Sequence, residues 1–184
     1  YSCLNFVMLR CVIEAKTKTS LDKYLQAKLF EPLGLTSCTY NPHQNQGIDL
    51  SLVVPTVNDQ ALRRQQLHGY VHDEIAAWSG GVEGNAGLFS NATDLAKILQ
   101  LMLDQGEYEG KQIISKETCK LFTTTKSPRT RRGLGFDKPD MQNPAKSPCA
   151  EEVPGSVYGH TGFTGTCFWV DPTNRLIYIF LCNR

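Results

Sequence analysis

The chain has 184 residues, 41% of them hydrophobic and 20% charged, with a formal net charge of +1. That balance is ordinary for a globular protein of one domain, or of one domain and part of another. It argues against a nucleic-acid partner, because the longest basic cluster, Arg129-Thr130-Arg131-Arg132, is short, isolated and read as a solvated loop. The elements follow in chain order. Leu4, Val7, Met8, Cys11 and Val12 have helical spacing and predict a first helix over residues 2–15. It has no basic flank, so it is not a signal peptide, and no apolar run in the chain approaches the roughly 18 residues of a transmembrane segment.

A second helix is predicted from Thr19 or Ser20, where Thr19 and Asp22 have capping-box spacing; Pro32 and Gly34 stop it. Residues 36–60 are polar and weakly periodic, which predicts a long surface excursion. The run from Trp78 to Gly87 is glycine-rich and must turn tightly. Asn91 with Asp94 starts a clear helix whose apolar stripe is Leu95, Ile98, Leu99 and Met102, ended by Gly106. Ser115 and Thr118 introduce a shorter helix. Gly133-Leu134-Gly135-Phe136 is predicted as a strand and residues 138–155 as a mobile loop. Thr166–Val170 and Leu176–Leu181, separated by Asp171-Pro172-Thr173-Asn174, predict a closing hairpin. Helices first and antiparallel strands last make the fold class α+β, a helical part over about 1–130 and closing strands over about 131–184.

The seven cysteines, at 3, 11, 38, 119, 149, 167 and 182, have no regular spacing and no Cys-x-x-Cys pair. A disulfide scaffold or zinc site is not expected, and Cys11 and Cys182 are read as small buried hydrophobes. His68 and His72 lie four apart beside Asp73 and Glu74, but Gly69 and Val71 between them argue against a helix. A structural hydrogen-bonding role, holding the glycine turn, is expected there, and no metal or cofactor. Glu14, Lys16 and Lys18 are read as solvated-face charges.

The strongest pointer to chemistry is Tyr158-Gly159-His160-Thr161-Gly162-Phe163-Thr164-Gly165, which enters the closing hairpin. Gly162 and Gly165 would let a ligand approach the backbone edge, and His160 and Thr161 bring a titratable ring and a hydroxyl to the same place.

Four segments in order carry a resemblance: Tyr1-Ser2-Cys3-Leu4-Asn5-Phe6, Phe30-Glu31-Pro32-Leu33-Gly34-Leu35, Gly80 to Ser90 with Asp94-Leu95-Ala96, and His160-Thr161-Gly162. Together they resemble the serine β-lactamase and penicillin-binding-protein superfamily, in its class C-like branch of esterases and DD-peptidases. Gly69 to Glu74 further resembles a subgroup whose hydrolase-like domain is fused to β-N-acetylhexosaminidases of cell-wall metabolism. The resemblance implies a β-lactamase/transpeptidase-like fold acting on a small-molecule or peptidoglycan-derived peptide substrate, in the periplasm or cell envelope.

On that resemblance Tyr1 would sit against the nucleophile, and His160 would hydrogen-bond the tyrosine or a substrate carboxylate. Thr161 would offer its hydroxyl to the same group, Gly162 would bring the strand edge close, and the Phe163 N–H would donate to an oxyanion. Cys3 stands where such proteins usually carry Asn; a thiol is a weak donor and acceptor, which disfavours amide recognition and mildly favours an ester. The superfamily's Ser-x-x-Lys nucleophile lies upstream of the tyrosine element. The literal match here, Ser20-Leu21-Asp22-Lys23, follows Tyr1 and is read as a helix cap. The expectation is therefore the C-terminal part of one domain, partnered by a missing N-terminal part of the same polypeptide and by a closing helix. Either the intact protein is a serine hydrolase, or the domain is a degenerate module that binds peptidoglycan or supports a glycosidase.

Overall fold

The structure is a computed structural model that describes residues 2–183. Two compact units make up the chain, one reaching to Asp94 and the other spanning Leu95–Cys182.

In the first unit, α1 covers Cys3–Thr17 and ends where Lys18 turns left-handed (φ 56°) and donates its N–H to Glu14 O. The helix is where the spacing predicts it, yet none of its residues is buried. Leu4, Met8 and Val12 are 61%, 69% and 54% exposed, so the apolar stripe faces outward. Cys11 lies on the same exposed side, against the expectation of burial. Glu14 is not a merely solvated charge: its carboxylate accepts from Leu21 N–H at 3.0 Å and from Arg10 Nη1 at 2.8 Å, capping the next helix.

That helix, α2 (Leu21–Leu25), widens into a π-type turn over Gln26–Phe30. The turn and the left-handed Gly34 (φ 60°) bring Phe30, Leu33 and Leu35 into the interior, with Leu67, Val71 and Ala76 also buried. The predicted excursion is built of short pieces. Strand β1 (Thr39–Tyr40) pairs antiparallel with β4 (Leu88–Phe89), and β2 (Asn58–Asp59) pairs with β3 (Gln65–Gln66). A short helix absent from the sequence reading, α3 (Glu74–Trp78), starts at Asp73, whose carboxylate accepts from Ala76 N–H at 2.8 Å.

Helix α4 (Ala92–Leu103) leads into the second unit, its start fixed by Asn91 Oδ1 accepting from Asp94 N–H at 2.8 Å. A small hairpin of β5 (Glu107–Tyr108) and β6 (Lys111–Gln112) follows, then α5 (Lys116–Thr124), capped by the Ser115 side chain. The closing sheet has the order β7 (Tyr158–Thr161), β8 (Cys167–Asp171), β9 (Leu176–Phe180), all antiparallel. Asp171 Oδ1 accepts from Thr173 and Asn174 N–H groups and makes the tight turn between β8 and β9.

Leu99, Leu103, Tyr158 and Val170 are buried together, with Phe136, Phe168, Ile177 and Ile179 packed against them. Burying those apolar surfaces is what holds α4 onto the sheet, at roughly 1.5–3 kcal/mol per fully buried large side chain. The predicted Gly133–Phe136 strand does not form. Gly135 (φ 80°) bends the segment and Gly133 N–H returns to Phe136 O, so only Asp137 bridges to β7, opposite Gly159. Cys182, expected inside, is exposed and donates its thiol to Thr164 O at 3.2 Å. Helices followed by a small antiparallel sheet give the α+β class that the element order predicts.

Candidate active site

The His-Thr-Gly segment runs off the end of β7. His160 pairs with Phe168 and Thr161 with Cys167, so these two residues are held in sheet register. Gly162 N–H donates to Thr166 O at 2.7 Å, and Gly165 (φ 95°) closes the turn by donating to Gly162 O. His160 is half-buried, Thr161 and Gly162 are exposed, and Phe163 is 78% exposed. Four of the predicted site residues thus form one continuous, accessible ledge.

Behind the ledge, where the sequence predicts a solvated loop, lies an ion cluster. Asp137, 1% exposed, meets Arg131 Nε at 2.8 Å and Arg132 Nη2 at 3.2 Å. Arg132 Nη1 lies 2.9 Å from His160 Nε2. Nearby, burial followed by the charges of Asp137 and Cys167 pushes the Cys149 thiol up to about 11. A polar hollow of about 630 Å³, lined by Gln100, Asp104, Tyr108, Lys116 and Arg175 among others, also belongs to this unit. None of the ledge residues lines it, so its size does not make it the chemical site.

Tyr1 lies outside the described residues. Cys3 opens α1 and is half-buried. The glycine turn adjoins the same helix: a Cβ on Gly84 would collide with the Phe6 carbonyl oxygen. The buried Glu83 carboxylate accepts from Arg10 Nε at 2.9 Å, linking turn and helix. Asn41 Nδ2 donates to Gly80 O at 2.8 Å and holds the opposite side of the turn.

Ser20 occupies the position before α2, exposed and with no side-chain capping bond, while Lys23 is exposed too. His68 Nε2 donates to the carbonyls of Leu50 (2.9 Å) and Val53 (2.7 Å), so it holds the loop at residues 50–53 instead of the glycine turn expected for it. Among the described residues no group of three His, Cys, Asp or Glu gathers as metal ligands. No helix among them is long and apolar enough to cross a membrane.

The family model for beta-lactamase matches residues 1–184. The chain belongs to the beta-lactamase family. Relatives of this family agree along its whole length. A putative D-alanyl-D-alanine carboxypeptidase of Escherichia coli K12 is 34% identical over 195 residues, covering all of this chain and 44% of that protein. An N-acetylmuramyl-L-alanine amidase of Bacillus subtilis is 35% identical over 201 residues, again covering all of this chain and 44% of its relative. The chain therefore spans less than half the length of these relatives. Among solved structures, the octameric penicillin-binding protein homologue of Pyrococcus abyssi superposes with a TM-score of 0.64 at 21% identity, covering 96% of this chain and 36% of that one. A beta-lactamase of Mycobacterium bovis gives 0.63 at 21% identity, over 97% of this chain and 54% of that one. These likenesses establish a penicillin-binding-protein-like fold, of which these residues form a partial domain.

Proposed function

We propose that the protein containing these residues is a serine hydrolase that cleaves D-alanyl peptides or related esters in cell-wall metabolism. The observation that carries this reading is the accessible His160-Thr161-Gly162 ledge at the end of β7, in a chain matched end to end by a relative named as a D-alanyl-D-alanine carboxypeptidase. A serine hydroxyl, supplied by a Ser-x-x-Lys segment outside these residues, attacks the scissile carbonyl and loses its proton to a neighbouring base. On the family resemblance Tyr1, which lies outside the described residues, would be the tyrosine paired with that nucleophile. Thr161 offers its hydroxyl to the substrate, and the Phe163 N–H donates to the oxyanion that develops as the carbonyl becomes tetrahedral. Gly162 supports this by leaving the strand edge without a side chain.

Cys3 supports a second reading. A half-buried thiol at the head of α1 is a poor partner for a substrate amide, which fits an ester substrate, or a domain that binds peptidoglycan without turnover. Release of D-alanine from a D-alanyl-D-alanine peptide, together with labelling by a fluorescent penicillin, separates the two. The 184 residues alone are expected to do neither, and a polypeptide that adds an upstream Ser-x-x-Lys segment to do both. An intact polypeptide that binds the peptide without hydrolysing it is the binding module. Stoichiometric labelling at Ser20 overturns the assignment of the nucleophile.

A further inference from the structure

Three turns build the polar hollow beside α4. Gln105 (φ 54°) and Gly106 (φ 85°) turn left-handed and end that helix, and Glu109 (φ 48°) with Gly110 (φ 77°) makes the two-residue turn of the β5–β6 hairpin. Gly106 O accepts from Ile113 N–H at 2.8 Å, which folds the hairpin back toward the start of α5. Arg175 (φ 52°) comes in from the β8–β9 turn. The concave surface they enclose, about 630 Å³, is within the size range of small-ligand sites.

Its charges divide into paired and unpaired. Asp104 Oδ1 accepts from Arg175 Nη2 at 2.6 Å, and its Oδ2 accepts from the Gln100 amide. Glu107, Glu109 and Lys116 line the same surface, are exposed, and make no ion pair or side-chain hydrogen bond among the described residues. The acids disfavour a polyanion, and among the described residues no three such groups gather as metal ligands. Apart from Leu103 and the Tyr108 ring the lining is polar, which disfavours an apolar guest. The guest that fits carries an ammonium group and a carboxylate in one molecule.

A second observation points to a ligand. Tyr158 is 2% exposed, and its hydroxyl has no hydrogen-bond partner among the described residues. The ring packs with Leu103, and burial, followed by the nearness of Cys119 and Asp104, raises the phenol above its ordinary value. Leu103 and Asp104 both line the hollow, so the hydroxyl lies behind that wall. A buried hydroxyl without a partner is uncommon, and a polar guest seated on the wall accounts for it.

We propose that this hollow is a binding site, separate from the His160 ledge, for a short peptide with free termini. Glu107 and Glu109 hold its ammonium end, and Lys116, at the start of α5, holds its carboxylate. The site uses none of the residues assigned to hydrolysis and does not rest on that reading.

Triglycine tests it on the intact polypeptide, beside N-acetyl-triglycine, which lacks the ammonium group, and triglycine amide, which lacks the carboxylate. Amide resonances of Gly106, Tyr108 and Gly110 should shift saturably with triglycine. Each capped peptide should bind about tenfold more weakly, the loss of one charge-assisted contact. Lys116→Ala should weaken triglycine about tenfold and leave the affinity of the amide unchanged. Glu107→Gln combined with Glu109→Gln should weaken triglycine and leave the acetylated peptide unchanged. Lys111→Ala, on the same hairpin but outside the lining, should alter neither.

Absence of saturable shifts at these three residues, equal binding of the three peptides, or an equal loss from Lys111→Ala overturns the site. Binding that depends on one terminus alone overturns the two-ended assignment. The wild-type comparison of the three peptides decides even if a variant does not fold. A protein that hydrolyses no D-alanyl peptide but binds triglycine here loses the hydrolase reading and keeps this site.

Discussion

Arg10 Nε lies 2.9 Å from Glu83 Oε2, and this one pair ties the middle of α1 to the glycine turn. The Glu83 side chain is fully buried and Arg10 is about a fifth exposed. Charge on a buried carboxylate is tolerated only while its partner remains, because desolvation without a counter-ion is costly. Arg10 also reaches Glu14, the carboxylate that caps α2, so three elements depend on one guanidinium.

Arg10→Met should therefore destabilise the fold by about 3 kcal/mol, the scale for breaking a buried pair by removing one partner. The double variant Arg10→Met with Glu83→Gln should recover part of the loss, because the orphaned charge is gone. Urea unfolding of the three proteins measures this. A single-variant loss below about 1 kcal/mol, the range of exposed pairs, would show the contact to be incidental.

Gly159 in β7 and Gly162 just beyond its end should respond differently to the same substitution. A Cβ on Gly159 would collide with the Phe168 carbonyl oxygen and the Trp169 ring, both fixed in the sheet. On Gly162 the nearest obstacle is the Thr166 hydroxyl, which can rotate away. Gly159→Ala is expected to cost about 2 kcal/mol, as overpacking does, and Gly162→Ala well under half of that. Thermal unfolding ranks them, and the reverse order would sink this account of the strand.

Elements with strong local signals were legible in the sequence. Helix α4 has a cap, a stripe and a stop within one stretch, and the β8–β9 hairpin has apolar strands around an Asp-Pro turn. The ledge was legible for the same reason, as its glycines and polar residues are consecutive. The two-residue strands β1 to β6 were not: β1 meets β4 across about fifty residues, and no local period announces such a pairing. Helix α3 is five residues long and hid beside a histidine pair. Gly133–Phe136 reads as a strand until Gly135 is seen to bend it. The Arg132–Asp137–His160 cluster left no trace either, because nothing local shows that Asp137 is buried. Periodicity found α1 but not the face it presents, which depends on tertiary packing alone.

Acid should loosen the segment after β2 only well below the ordinary carboxylate range. The N–H of Leu62 and then the Arg63 side chain, with the Arg63 and Ala61 N–H groups, hold the Asp59 carboxyl well below its ordinary value of 3.8. A carboxylate depressed on folding contributes stability that is complete above the unfolded value and lost as pH falls through the folded one. Arg63 also donates to the carbonyls of Val71 and His72, so releasing Asp59 frees a second loop. Amide resonances of Ala61, Leu62 and Arg63 should hold steady from neutral pH through about 4 and move only well below it. Movement between pH 5 and 7 would assign the effect to another group.

Thiol reactivity should divide the cysteines. Burial raises Cys119, and burial with neighbouring Asp137 and Cys167 takes Cys149 to about 11, so neither holds much thiolate at pH 8. Cys11 and Cys182 are exposed. Alkylation at pH 8 followed by peptide mapping should mark Cys11 and Cys182 first, with Cys119 and Cys149 modified only after unfolding. Early labelling of Cys149 would mean that the Asp137 cluster opens in solution.

The remaining prediction concerns two apolar faces that the fold leaves uncovered. On α1, Leu4, Met8 and Val12 form an exposed stripe, and on β9, Leu176, Tyr178 and Phe180 are 59%, 51% and 47% exposed on one side of the edge strand. Contiguous apolar surface and an unpaired strand edge both favour association in water. The 184 residues expressed alone should therefore bind an apolar dye and sediment as species whose mass rises with concentration. Met8→Lys and Tyr178→Lys each place a charge on one face without touching a buried residue, so they should lower dye binding while leaving the helical signal unchanged. Because the faces lie on different elements, their effects should add. A wild-type chain that sediments as a monomer at all concentrations and ignores the dye would show that both faces are covered in solution.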